Sequence, residues 1–225
     1  MSPKLERETP SVASSELFGE LVVTNAPARG LLADSVVRRV RAGRSERSDV
    51  LGDAAFLIVE EGFVVIRRAL TEKRGVILCH AGAGALLPVP QPGETLDALV
   101  DARVTLLSEA VYAKLLAYPE LAAALSDALR VTLRQKQVSI ATFASVRHVE
   151  RVRQKLLQLA REHGRVATDG VRLEFPLTHD LLAEMVGSAR ETVSRAIDRL
   201  EQTGFLVRDG RSYRLRVEPD ALSAS

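Results

Sequence analysis

The stretch GSARETVSRAIDRLEQTG, Gly187 to Gly204, sets two guanidinium groups and a carboxylate, Arg190, Arg195 and Glu191, within six residues near the front of an amphipathic helix. At about 100° per residue with Arg190 at zero, Ser194 falls near 40°, Glu191 near 100° and Arg195 near 140°, whereas Val193, Ala196, Ile197 and Leu200 cluster at roughly 240° to 340°. One face is core and the opposite face carries the charges. As a merely solvated face, Glu191 and Arg195 would form an i, i+4 ion pair contributing roughly 0.3 kcal/mol. As a reading face the same groups match base edges. Arginine donates two parallel hydrogen bonds to guanine O6 and N7, glutamate accepts from the cytosine N4 amino group, and a good pair discriminates by about 1–3 kcal/mol.

The elements around this helix favour the second use. Thr178 is an N-cap for a helix over Thr178–Val186, and Gly187 supplies the turn that closes it. Ser188 is then expected to cap the second helix, with Glu191 three residues on completing a capping box. Two short helices that approach at Ala183 and are joined at Gly187 spell a helix-turn-helix. The pair FLVR and RSYRLRV, joined by Asp209-Gly210 as a two-residue turn, reads as the wing of a winged helix. In such a unit the N-terminal residues of the second helix enter a major groove. A winged helix used as a protein-interaction module is the rival reading, and the arginine and glutamate face argues against it.

Upstream the pattern is of short strands. FLIVEEGFVVIRRA (Phe56 to Ala69) reads as two strands around Glu60-Glu61-Gly62, GVILC as a third, and ALVDARVTLL as a later one, with AGAGALLPVPQPGE between them mostly turn and loop. After Ser108 the period becomes helical: SEAVYAKLLAY ends at Pro119, which starts a run free of Gly and Pro for more than six turns. Leu121, Leu125, Ala128 and Leu129 form a stripe on it, read as a dimerisation seam; packing on the chain's own barrel is the alternative. A hinge is expected around Ser145 to Val149, followed by a helix over Val149–Gly164 and a short strand in VRLEFP.

Composition bounds the rest. The chain has 225 residues, 46% hydrophobic and 27% charged, with no apolar run near the roughly 20 residues that span a bilayer. Its first fifteen residues lack the apolar core of a signal peptide, so the expectation is a cytoplasmic protein with no membrane partner. A net charge of +2 neither demands nor excludes nucleic acid. The single cysteine, Cys79, rules out an internal disulfide or a Cys-only metal site. Cys79 and His80 are adjacent like a ligand pair, but Cys79 ends an apolar strand and is most simply core. No metal site is expected. His80, His148, His163 and His179 are scattered in sequence, none beside a nucleophile and an acid, which argues against an enzyme.

LTHDLLAEMVGSARETVSRAIDRLEQTGFLVRDG resembles the winged helix of the Crp/Fnr family of transcription regulators, whose recognition helix carries the same R-E-T-V-x-R run. The resemblance implies that Arg190, Glu191 and Arg195 read bases in a TGTGA-like inverted repeat. It further implies that Thr178, Ser188, Thr192 and Ser194 lie at the DNA interface, Thr178 and Thr192 matching phosphate-contacting hydroxyls. RAGRSERSDVLGDAAFLIVEEGFVVIRR is similar to the start of the family's β-roll, and the helix from Pro119 to its dimer helix. The implied architecture is α+β: a tail (1–15), a cyclic-nucleotide-binding-like β-roll sensor (16–118), a dimerisation helix and hinge (119–146), a winged helix-turn-helix (147–218) and a second tail (219–225). The implied partners are double-stranded DNA, a second copy of the chain and RNA polymerase, the last at a position matching the loop HGRVATDGV (His163 to Val171).

The chain departs from the family at the phosphate cassette. The family's nucleotide binders carry Gly-Glu-Leu and, about ten residues on, Arg-Ser/Thr-Ala, with a helix N-terminus to neutralise the cyclic phosphate. Here Leu96 and Asp97 stand where the Arg and Ser belong, and ALLPVP replaces Gly-Glu-Leu. A rival alignment uses Gly93-Glu94 and Arg103. Standard cyclic AMP binding is therefore not expected, and the β-roll senses another effector or none. Glu94, Arg103 and Lys136, the last in a polar patch over Arg134–Gln137, are the ligand candidates; a nucleotide effector such as cyclic AMP or cyclic di-GMP at a non-standard site is left open.

Overall fold

The computed structural model describes residues 26–33, 35–72, 74–144 and 147–218. The expected tails and Ser145 and Val146 of the expected hinge lie outside the described residues. A short helix α1 (Ala26–Leu32) leads into β1 (Val36–Val40), β2 (Ser45–Arg47), β3 (Ala54–Thr71), β4 (Arg74–Gly82), β5 (Leu86–Pro88) and β6 (Glu94–Ser108). The long strand β6 pairs antiparallel with β1, β2 and β3, and β3 pairs on its other side with β4 and β5. The sheet curls over a core of Val40, Leu57, Val64, Ile66, Cys79, Leu96 and Val104. This is the expected β-roll, with Cys79 in its core.

One local expectation is corrected. Phe56 to Ala69 is not two strands but one, which pairs with β6 on both sides of Glu60-Glu61-Gly62 through shifts in register. Gly62 sits at φ 88°, and a Cβ there would lie 2.3 Å from the Asp101 carbonyl oxygen. The acidic pair and glycine thus mark a bulge that bends the strand, not a turn that reverses it. Ala81 to Glu94 is mostly turn and loop, as expected, and also holds the short strand β5, whose Leu86 and Leu87 are buried.

Helix α2 (Glu109–Leu115) is capped by Ser108, whose Oγ accepts the Val111 N–H at 3.3 Å. Helix α3 (Pro119–Ala144) starts at the expected proline. Its stripe is spent on its own protomer: Leu121, Leu125 and Ala128 are buried against Ile58, Leu86, Leu107 and Leu115, with Leu129 partly buried beside them. The alternative to a dimer seam therefore holds for these four residues, because the outer face of the β-roll offers apolar surface at the same spacing. Leu133, Val138 and Ile140, further along α3, are exposed.

After Arg147, extended at the N-cap, come α4 (His148–His163), β7 (Gly164–Ala167), β8 (Gly170–Leu173), α5 (His179–Val186), α6 (Arg190–Gln202), β9 (Leu206–Asp209) and β10 (Ser212–Leu215). The strands form a second sheet in the order β7-β8-β10-β9. The segment read as the loop HGRVATDGV is a hairpin, its Asp169 carboxylate accepting from Arg214 Nη1 at 2.7 Å. The two units share a core. Phe63 of β3 stacks on Phe175 with centroids 4.1 Å apart, and Val65 and Ile77 join the same cluster as Leu156, Leu182 and Ile197. No described helix is long and apolar enough to cross a membrane.

Candidate nucleic-acid interface

Helix α5 begins as its sequence demands: Thr178 is extended and its Oγ1 accepts the Leu181 N–H at 3.1 Å. It ends at Gly187, φ 63° and ψ 40°, a left-handed conformation that a Cβ would disfavour. Ala183, buried, lies where α5 meets α6. The second cap differs from expectation. Ala189, not Ser188, is the N-cap of α6, and no side chain fills it. The Ser188 hydroxyl lies 2.9 Å from His148 Nδ1 at the start of α4, so a partner distant in sequence takes the oxygen that a capping box would use. No side-chain hydrogen bond caps α6, and the Thr192 and Val193 N–H groups both bond the Ala189 carbonyl at 3.1 Å.

Val193, Ala196, Ile197 and Leu200 are buried, as the helical angles require. On the opposite side Arg190, Glu191 and Arg195 are exposed together. Arg190 Nε stands 3.5 Å from Asp180 Oδ2, both side chains well over half exposed, a contact that solvent weakens. Among the described residues Glu191 and Arg195 have no ion-pair partner, and the i, i+4 pair of the solvated-face reading is not made. Thr178 is exposed and Ser188 and Thr192 are half-buried. Ser194 is committed inward: its hydroxyl donates to the Arg190 carbonyl at 3.0 Å and lies 2.7 Å from His179 Nδ1. Burial first, then the nearby Arg208 guanidinium, hold the His179 ring below its usual pKa, so it sits neutral between Ser194 and Arg208.

In the wing, Asp209 pairs with Ser212, which makes Gly210-Arg211 the two-residue turn. The expected Asp209-Gly210 turn is displaced by one residue because the Arg211 carbonyl accepts the Leu177 N–H at 3.0 Å and the Ser212 hydroxyl donates to the Leu173 carbonyl. The shift puts an exposed arginine, Arg211, at the wing tip. Sequence reasoning missed it, although a basic residue in the turn of an expected wing was the available signal.

The ligand candidates are not brought together. Glu94 accepts from Arg68 Nη2 at 3.0 Å and from the Gln91 N–H at 2.9 Å, so it closes a turn. Arg103 is held by two carboxylates, Glu60 at 2.5 Å and Glu61 at 2.8 Å. Lys136 is exposed on α3, while its neighbour Gln135 points inward. Leu96 is fully buried within β6, and the span between β4 and β6 contains β5 and no helix.

Residues 150–224 match the Crp-like helix-turn-helix domain. The chain is 34% identical over 89 residues to the global nitrogen regulator of Synechocystis sp., 40% of each protein, so it spans well under two thirds of that relative. It is 28% identical over 168 residues to the CRP-like cAMP-activated global transcriptional regulator of Mycobacterium tuberculosis, 72% of this chain and 75% of that one. Its fold resembles that of a CooA variant from Carboxydothermus hydrogenoformans, with a TM-score of 0.74 at 19% identity over 90% of this chain and 93% of that one. A β-roll, a long helix and a winged helix-turn-helix, in this order and with a Crp-like helix-turn-helix domain over residues 150–224, make the chain similar to transcription regulators of the Crp/Fnr family.

Proposed function

We propose that this DNA-binding regulator acts as a homodimer that reads a TGTGA-like inverted repeat through Arg190, Glu191 and Arg195. The observation that carries this reading is the joint exposure of these three side chains on the outer face of α6, opposite its buried apolar face. An anionic glutamate beside DNA is repulsive unless it meets a donor such as the cytosine N4 amino group, so the trio favours G·C pairs. Thr178 and Thr192 are the hydroxyls we assign to phosphates, with Ser188, which also meets His148, beside them; Arg211, exposed at the wing tip, adds a cation, and Ser194 acts by buttressing His179. Exposed Leu133, Val138 and Ile140 on α3 support pairing of two copies through that helix, beyond the turns that cover the β-roll. Two copies would present their recognition helices to half-sites about one helical turn apart.

The β-roll is a sensor of an effector other than cyclic AMP bound in the usual way, or a scaffold without one. Supporting this, the span where a phosphate would meet a helix N-terminus is strand, and Arg103 is already neutralised. The Mycobacterium tuberculosis relative is described as cAMP-activated, and that property is the alternative for this chain. The β7–β8 hairpin, with Val166 exposed, is the surface we assign to RNA polymerase contact.

Titration of the full chain with a TGTGA palindrome and with a scrambled duplex, across salt concentrations and with cyclic AMP or cyclic di-GMP added, tests the reading. Preference for the palindrome at every salt concentration is expected, because base contacts and not only phosphate contacts supply the affinity. Equal binding of both duplexes overturns sequence-specific recognition. Strong tightening by micromolar cyclic AMP overturns the account of the sensor.

A further inference from the structure

His80 on β4 and Glu162-His163 at the end of α4 are separated by about eighty residues, yet three of their donor atoms face one another. His80 Nδ1 lies 3.0 Å from His163 Nε2, and each lies 3.7 Å from the same oxygen, Glu162 Oε2. The point equidistant from these three atoms is about 2.0 Å from each, which is the length of a zinc bond to histidine nitrogen or carboxylate oxygen. A hydrogen bond between the two rings explains one side of this triangle and leaves the carboxylate oxygen facing both nitrogens.

The surroundings are those of a ligand set. His80 is 2% exposed, and the His163 ring packs edge-on against Phe63 with centroids 4.7 Å apart, so both imidazoles are held away from bulk water. The Glu162 carboxylate is oriented from two elements: Gln135 of α3 donates to Oε2 and Gln158 of α4 to Oε1, both at 3.0 Å. Such outer partners fix a ligand's direction. Gln135 Oε1 is buried without a partner and lines, with His80, Thr132 and His163, a cavity of about 10 Å³, roughly the room one water needs. Lys155 and Arg161 are the cations whose charge reaches Glu162. Lys155 opposes a second cation; it donates to Gln158 at 2.8 Å, and burial lowers it to about 8. Cys79 is not part of the set, because alternate residues of a strand face opposite ways and its thiol lies in the β-roll core.

We propose that His80, Glu162 and His163 bind one zinc-class divalent ion, with a water hydrogen-bonded to Gln135 as the fourth ligand. Resting on the proposed function, the ion is an effector that pins the helix-turn-helix to the β-roll, since its ligands come from both units. This departs from the expectation of no metal site, which rested on sequence spacing alone.

The test is titration of the purified, chelator-stripped full chain with Zn²⁺ and Co²⁺, followed by calorimetry, the visible ligand-field absorption of Co²⁺ and thermal unfolding. One ion per protomer is expected, with a four-coordinate Co²⁺ spectrum and a Zn²⁺-dependent rise in Tm. Glu162→Gln, which keeps shape and hydrogen bonding, and His80→Asn should each weaken binding about 10- to 100-fold or more. No saturable binding, or equal affinity in wild type and both variants, overturns the site. In the DNA titration Zn²⁺ should change wild-type affinity and leave Glu162→Gln unaffected. Zn²⁺ binding without any change in a measurable preference for the palindrome overturns the effector role. Absence of any palindrome preference, with or without Zn²⁺, counts against the proposed DNA reading and leaves the metal result standing on the Co²⁺ spectrum.

Discussion

Arg67 of β3 and Glu184 of α5 meet in a two-pronged ion pair, Nε to Oε2 at 2.7 Å and Nη2 to Oε1 at 2.5 Å, and Oε1 also accepts the Gly75 N–H at 3.0 Å. Both side chains are less than a third exposed, and the pair joins the β-roll to the first helix of the helix-turn-helix. The bidentate geometry is the one in which an arginine and a carboxylate bind most firmly. Arg67→Ala should cost about 1–3 kcal/mol, because it leaves a half-buried carboxylate with a single backbone donor. Urea unfolding measures this, and hydrogen exchange should show α5 opening more often.

Phe63 and Phe175 form the apolar counterpart of that pair, their rings 6° from parallel and both nearly buried. Phe63→Ala should lower stability by about 3–5 kcal/mol and separate the unfolding of the two units, seen as a broadened or split calorimetric transition.

On the recognition helix, Arg195→Ala should relax preference at one base pair and weaken binding by about 1–3 kcal/mol. Ser194→Ala should leave base preference intact, since that hydroxyl is occupied by the Arg190 carbonyl and His179. A comparison of both variants on single-substituted half-sites separates the roles. Relaxed preference in Ser194→Ala would contradict the inward assignment.

Along α3 two leucines at similar helical depth should behave oppositely. Leu125 is fully buried and Leu133 is 62% exposed. Leu125→Ala should destabilise the protomer by about 2–5 kcal/mol in urea. Leu133→Glu should preserve secondary structure by circular dichroism and convert the proposed dimer to monomer in sedimentation. A dimer unchanged by Leu133→Glu would place the seam elsewhere.

Much of the DNA-reading unit was legible because its determinants are local. The Thr178 cap, the left-handed Gly187 and the apolar positions Val193, Ala196, Ile197 and Leu200 each act within a few residues, and the structure follows them. Where a distant partner competed, the local rule failed. His148 took the Ser188 hydroxyl, the Arg211 carbonyl bound Leu177 and moved the wing turn, and β6 ran on past Gly62 and made one strand of an expected two. The α3 stripe was visible, but not whether it would meet a second copy or the β-roll, since both offer apolar surface.

The sequence by itself determined the second helix of the helix-turn-helix, its exposed arginines and glutamate, and the roll of strands before it, because periodicity, capping and composition are properties of short segments. Only the tertiary structure decided that His80, Glu162 and His163 share a point in space, that Arg67 clasps Glu184, and that Leu133, not Leu125, is left free on α3. Those relationships depend on which faces pack across tens of residues of chain, and the energy that selects them is the burial of a core shared by both units.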